Sequence, residues 1–327
     1  MKIKDIKFFI GPVSKNIMDT IIDFSTKENI QLGVIPSRRQ IDYDGGYVNN
    51  WNTKKFFNFL KNENNKNLII ERDHGGIAQG RYYDNGTLSL YTDAKYFDII
   101  HIDPWYHYKN DFQRALDETV DNIRFVNKIS PFCQFEIGTE ETIYHFDDNM
   151  LDYMLNYLIY KLGEELFSKI VYCVIQCGTS LKNTTNTGKF DVERLKNMLN
   201  VCEKYGVLSK EHNGDYLKPD ELKIRFDAGL SAINIAPEFG VYETDLILEY
   251  MTKEQEEQFF NICYNSKKWN KWTDEYFDPF ENKKELIRIC GHYQFSNPDF
   301  INMNIDIDID KIIKRKLYNK LSKLYEI

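Results

Sequence analysis

The sequence predicts a single (β/α)8 TIM barrel with a C-terminal helical extension, and three observations predict it. Short β-rich runs alternate with helical stretches along a chain of 327 residues, the pattern of a parallel sheet with crossover helices. Eight such units over about 260 residues suit a closed barrel better than the structural alternative, a doubly wound open sheet. Polar residues follow the strands rather than precede them, as they do where C-terminal strand ends converge on a site.

The elements follow in order. Strands are expected at 7–13, 30–35, 68–71, 97–102, 132–137, 170–175, 207–210 and 232–235, each a short run rich in β-branched or aromatic residues. Helical spacing of apolar residues marks 16–26, 53–62, 111–126, 149–167, 191–205, 218–227 and 244–264. Ser14 stands where a helix cap belongs, and Lys218-Pro219-Asp220-Glu221 has the proline and acids of a helix entry. Two connections are long, 75–95 and 139–149, and long barrel loops tend to carry function. The tail reads differently. IDIDID at 305–310 alternates like an edge strand, and the basic amphipathic stretch after it reads as a helix. Residues 1–300 are therefore expected to form the barrel, and 301–327 an extension packed on it or on a partner subunit.

Composition excludes several classes. Apolar residues at 42% supply a core, and a net charge of −8 argues against nucleic acid as a main partner. No apolar run approaches the ~20 residues that span a bilayer. The start is Lys-rich, but its apolar stretch is short and interrupted by Pro12, so it reads as a first strand rather than a signal peptide. The cysteines at 133, 173, 177, 202, 263 and 290 form no CxxC pair and read as buried free thiols of a cytoplasmic protein. Homo-oligomerisation stays open.

Seven consecutive strand ends bear polar groups. Strand two runs into Arg38, Arg39 and Gln40; strand three into Asp73 and His74; strand four gives His101 and Asp103. Strand five gives Glu136, with Glu140 and Glu141 beyond; strand six ends at Gln176; strand seven in Lys210, His212 and Asp215; strand eight in Asn234 and then Glu238. His74 and His212 with oxygen donors such as Gln176 suit a divalent metal, zinc first, with manganese, cobalt or magnesium as alternatives. Such an ion polarises a ketose carbonyl and stabilises an enediolate. Asp73 is the natural base beside it, with Glu140, Glu136 and Asp103 as further acid–base candidates. Arg38 and Arg39 are expected to hold an anionic end of the substrate, or else to form salt bridges. Gln40, His101, Lys210, Asp215, Asn234 and Glu238 complete the expected substrate contacts. Lys210 reads as an ion pair before a Schiff-base nucleophile. His107, His145 and His292 read as loop residues, His292 with a role as a lid kept open.

These segments resemble, in order from about residue 30 to 245, the tagatose-bisphosphate aldolase subunit family (GatZ/KbaZ-like). The pieces are Arg39-Gln40 with Gly45-Gly46-Tyr47, Asp73-His74-Gly75-Gly76, His101-Ile102-Asp103, Ile137-Gly138-Thr139-Glu140, Ile175-Gln176-Cys177-Gly178, Glu211-His212-Asn213-Gly214-Asp215-Tyr216 and Ala236-Pro237. The resemblance implies a class II aldolase-related barrel acting on ketose phosphates or related keto-acids, with tagaturonate epimerase-like members in its range. It departs at Arg39, where the family has Asn, and in the extra acids Glu136 and Glu238. In class II aldolases two later strands supply histidines; here His212 fits one place and Gln176 stands at the other. The leading expectation is a metal-dependent epimerase of a small sugar phosphate or sugar acid. An aldolase using the same enediolate, or a non-catalytic subunit stabilising such an aldolase, are the alternatives.

Overall fold

The computed structural model describes residues 3–63, 65–305 and 308–326. Eight parallel strands close a barrel: β1 (Phe8–Ile10), β2 (Leu32–Val34), β3 (Leu68–Gly75), β4 (Ile99–Ile102), β5 (Gln134–Ile137), β6 (Ile170–Ile175), β7 (Leu208–Glu211) and β8 (Ala232–Ile235), with β8 pairing back onto β1. All eight fall within or against the expected runs. The open sheet is thereby excluded.

Two-residue alternation sorts each strand between two cores. Phe8, Ile10, Leu32, Val34, Ile70, Ile100, Phe135 and Ile233 pack outward under the helices. Phe9, Ile35, Ile69, Ile99, Tyr172 and Ala232 fill the barrel interior instead. The interior is so tight that a Cβ at Gly33 would lie 2.0 Å from the Phe9 ring. Above this apolar plug the inward positions become Glu71, Glu136 and Lys210, all buried. The next inward positions are the polar strand ends.

The helices depart from expectation in three places. The 75–95 connection, expected to be a loop, contains a helix, Thr87–Asp93. It starts after Gly86 at φ 74°, where a Cβ would collide with the Gly76 backbone at 2.3 Å. The expected helix 149–167 is two, Asp148–Leu162 and Glu164–Phe167, broken by Gly163 at φ 77°. The expected helix 244–264 is also two, Pro237–Leu248 and Lys253–Ser266; Pro237 opens the first, and a Thr252–Gln255 capping box opens the second.

The chain after β8 does two things. Helices Lys253–Ser266 and Lys283–Cys290 build a satellite core around Phe259, Phe260, Leu286 and Ile287, and the turn Gly291–Gln294 docks on Pro237–Leu248. A Cβ at Gly240 would sit 2.7 Å from the His292 ring, so the glycine is what seats that turn. The final helix, Ile309–Tyr325, lays Ile309, Ile313, Leu317 and Leu321 against Lys15–Glu28 and Pro237–Leu248. Its apolar stripe is buried within the chain itself. Of the IDIDID segment, residues 306 and 307 lie outside the described residues, and Ile309 onward is helical. All six cysteines are free and buried. Among the described residues no helix is long and apolar enough to cross a membrane.

Candidate active site

A cavity of about 490 Å³ opens at the C-terminal end of the strands. Asp73 and His74 both border it, although neighbours on a regular strand face opposite sides. A register shift between Arg72 and Gly75 resolves this: His74 adopts φ 47°, and the local irregularity brings both side chains to the mouth. Arg72, one position earlier, faces outward and is clamped by Asp93 at 2.8 and 2.9 Å.

Three imidazoles meet beneath this mouth. The ring centroids of His74, His101 and His212 lie 5.0–5.3 Å apart. One ligand atom from each, with one from Asp73, falls within 4.8 Å of the others. Each ring is gripped on one nitrogen: His74 Nδ1 by Asp103 at 2.5 Å, His101 Nε2 by the Gly138 carbonyl at 2.9 Å, and His212 Nε2 by Glu136 at 2.6 Å. A carbonyl or carboxylate oxygen accepts, so those nitrogens carry protons, and in the neutral rings of His101 and His212 the opposite nitrogens keep lone pairs. His101 Nδ1 meets two long contacts, 3.4 Å from the His74 amide and 3.8 Å from Glu136 Oε1. Oriented imidazoles with their far nitrogens held this way, plus a carboxylate, are a donor set that fits zinc or a similar divalent ion.

Electrostatics agree with a site meant to be filled. Burial drives His101 down to about 3 and His212 well below its ordinary value, so both stay neutral. Burial also opposes charge on His74, but Asp73 and Asp103 prevail and push it up to about 10. An ion at this position displaces that proton. Burial pushes the Asp73 carboxyl up to about 7.

Under the histidines lies a closed ion network. Lys210 Nζ donates to Glu71 and Glu136, each at 2.6 Å, and sits 3.7 Å above the Phe9 ring. Burial and the neighbouring Glu136 raise Glu71 well above the usual carboxylate range. Lys210 is fully enclosed, so it neither touches substrate nor serves as a Schiff-base amine. It fixes Glu136, which fixes His212.

The other expected residues divide clearly. Arg39, Gln40, Glu140, Asp215 and Asn234 border the cavity. Glu140 accepts a short hydrogen bond from Asn213 Nδ2. Asp215 accepts from the Ala236 and Glu238 amides at 3.0 and 2.7 Å, holding the loop after β8. Arg38 does not serve as an anion donor: its guanidinium is spent on Asp42, Asp84 and the Gly76 carbonyl, tying the two loops together. Gln176 lies outside the ligand cluster. Its amide bonds Phe146 N, Arg194, and the Thr139 and Tyr144 carbonyls. His101 occupies the third imidazole position in its place. Asp103 and Glu136 are fully buried and orient histidines. Glu238 bonds the Tyr216 amide and Lys320, tethering the C-terminal helix. His107 and His145 are exposed, and Glu141 pairs with Arg194 at 2.9 Å. The sequence reading missed Lys271, Trp272 and Tyr293, which border the cavity with His292 from beyond the last strand. No strand-end pattern marks them.

No family model and no curated protein matches the sequence. Solved structures do share the fold. A probable tagatose 6-phosphate kinase from Sinorhizobium meliloti 1021 superposes at TM-score 0.77 with 15% identity, over 94% of this chain and 87% of that one. A fructuronate-tagaturonate epimerase from Cohnella laeviribosi, complexed with glycerol, gives 0.69 with 9% identity, over 98% and 81%. A fructose-bisphosphate aldolase from Campylobacter jejuni gives 0.59 with 12% identity, over 99% and 89%. At these identities the likeness establishes a common (β/α)8 architecture.

Proposed function

We propose that the chain is a metal-dependent epimerase of a ketose phosphate or keto-sugar acid, acting through an enediolate of the substrate. The observation that carries this is the trio His74, His101 and His212 at the barrel mouth, each held on its far nitrogen, with the Asp73 carboxyl beside them to serve as the base. A divalent ion held there supplies Lewis-acid polarisation of the carbonyl. Asp73 takes the proton from the carbon beside that carbonyl, and Glu140 delivers one to regenerate the inverted centre. Both border one cavity from different strand ends, and Asn213 holds Glu140 in place. Asp73 and Glu140 at one cavity supply the proton removal and proton return that epimerisation needs; aldol cleavage also needs two transfers, one from the hydroxyl and one to the enediolate, so the product distinguishes the two reactions. Solved structures of the same fold include a sugar-acid epimerase and sugar-bisphosphate aldolases, so the architecture supports both chemistries by analogy.

The test is metal analysis of the purified chain, joined to solvent-deuterium incorporation and product analysis over a panel of ketose phosphates and keto-acids. Expected are a bound divalent ion, deuterium at the carbon beside the carbonyl, and a diastereomeric product. Release of a three-carbon fragment would replace the epimerase with an aldolase. No metal and no turnover of any panel member would sink the proposal.

A further inference from the structure

Beside the acids Asp73, Glu140 and Asp215, the cavity border carries cations that pair with none of them. The chain carries a net charge of −8, yet the mouth presents Arg39 from the loop after β2 and Lys271 from the segment after the barrel. Lys268, one 3-10 turn before Lys271, and Arg81 on the loop after β3 lie outside the cavity border but near enough for Arg39, Arg81 and Lys271 to act on the Lys268 charge. Among the described residues none of the four side chains has a carboxylate within ion-pair distance. Partial burial, and then Arg39, Arg81 and Lys271, lower the Lys268 ammonium, as expected of four cations that feel one another. Repulsion of this kind is a cost that folding alone gives no reason to accept.

The same cavity holds orphaned polar atoms. His292 Nδ1 and Asn234 Oδ1 are buried without a hydrogen-bond partner, and both residues border the cavity. Buried polar groups are satisfied as a rule, so a ligand with hydroxyls, which donate to the Asn234 amide oxygen and can pair with the His292 nitrogen, accounts for both. The rim is also anchored. Gly240 seats the His292 ring, and the Lys271 ammonium lies 4.1 Å from the Trp272 ring centroid and 5.7 Å from that of Tyr293.

We propose that Arg39, Lys268 and Lys271, with Arg81 beside them, form the subsite for a terminal phosphate of the substrate, closing over it from outside the barrel proper. The inference rests on the reading of the cavity as a sugar site and narrows it to phosphorylated ketoses. A phosphate monoester carries nearly two charges at neutral pH and offers three acceptor oxygens; a carboxylate brings one charge, which three or four cations overmatch. Arg39 supplies the planar fork, and the two lysines act as point charges. The subsite selects the substrate, while the histidines and Asp73 belong to the reaction.

Calorimetric titration of the full chain at fixed low salt tests this, using inorganic phosphate, fructose, fructose 6-phosphate and fructuronate as probes. Expected is phosphate binding, with fructose 6-phosphate bound at least about tenfold tighter than fructose or fructuronate. Lys271→Met and Arg39→Met should each weaken phosphate and fructose 6-phosphate by about tenfold and leave fructose unchanged, while Lys271→Arg retains the preference. All the substituted side chains are exposed, so folding is not at issue. Equal binding of fructose and its phosphate, phosphate binding indifferent to both methionine variants, or fructuronate matching the phosphate ester would each overturn the subsite. Deuterium incorporation is read on the same samples. Intact phosphate discrimination without exchange would overturn the proposed reaction and keep the subsite; exchange without discrimination would do the reverse.

Discussion

The barrel interior and the cavity rim handle charge in opposite ways. Inside, Lys210 lies between Glu71 and Glu136 with both distances at 2.6 Å, and Glu136 passes the constraint on to His212. At the rim, Arg39, Arg81, Lys268 and Lys271 have no acid partners among the described residues. A charge that is buried must be paired, because desolvation is otherwise uncompensated. A charge left unpaired at a cavity is free for something that arrives. The contrast separates charges that hold the molecule from charges that receive a ligand, and substitutions can test that division.

The largest effect should come from the histidines. His212→Ala or His101→Ala should reduce bound metal, measured by elemental analysis, from near stoichiometric to background, and lower turnover by more than about 10²-fold. Gln176→Leu should retain the metal, since its amide serves the loop at 139–146. Metal loss in Gln176→Leu with retention in His101→Ala would reverse the ligand assignment. Next in size is Lys210→Met. It strands two buried carboxylates and should cost about 3–5 kcal/mol in denaturant unfolding. A loss below ~1 kcal/mol would mean that the network does not hold the barrel interior together.

A third test takes a buried acid with no cation. Among the described residues Glu243 is bonded to Ser14 and Asn16, and burial raises its carboxyl to about 7 from an ordinary 4.5. Asp310 and Asp19 face it and add to the rise. The folded state thus binds the proton more tightly than the unfolded state. Its contribution to stability is full below pH ~4.5, falls as pH rises toward ~7, and is flat above. Glu243→Gln should remove this part of the slope in unfolding measured from pH 4 to 8, and an unchanged slope would refute it. The smallest effect belongs to the rim: Lys271→Met should change unfolding free energy by less than about 0.5 kcal/mol. A large loss there would erase the contrast with Lys210.

Much of this was legible in the sequence, and the gaps have physical reasons. The eight strands showed because β-rich runs and helical periodicity alternate without interruption. Asp73, His74, Glu140 and His212 stood out because strand ends converge in a barrel. Alternation could have carried the reading further, since 69, 71 and 73 share one face, as do 99 and 101, or 210 and 212. On that count Lys210 lies one layer below His212, and His101 lies level with the site. The bulge that turns His74 beside Asp73 has no sequence signature, and neither do the acids that neutralise Arg38. Asp84 reaches Arg38 across a loop that the sequence reading left unstructured. Glycine and capping residues broke two expected helices where apolar periodicity ran on.

The placement of Lys268, Lys271 and His292 after the eighth strand has a consequence for biosynthesis. A chain emerging N-terminus first has all three clustered imidazoles once His212 is out, and can close its barrel once β8 follows. Of the rim cations, Arg39 and Arg81 are already out by then, whereas Lys268 and Lys271 follow the end of β8 by 33 and 36 residues. For that interval the growing polypeptide holds the imidazole cluster with only half of its proposed phosphate grip. The last-made segment therefore completes substrate selection after the reacting groups are in place.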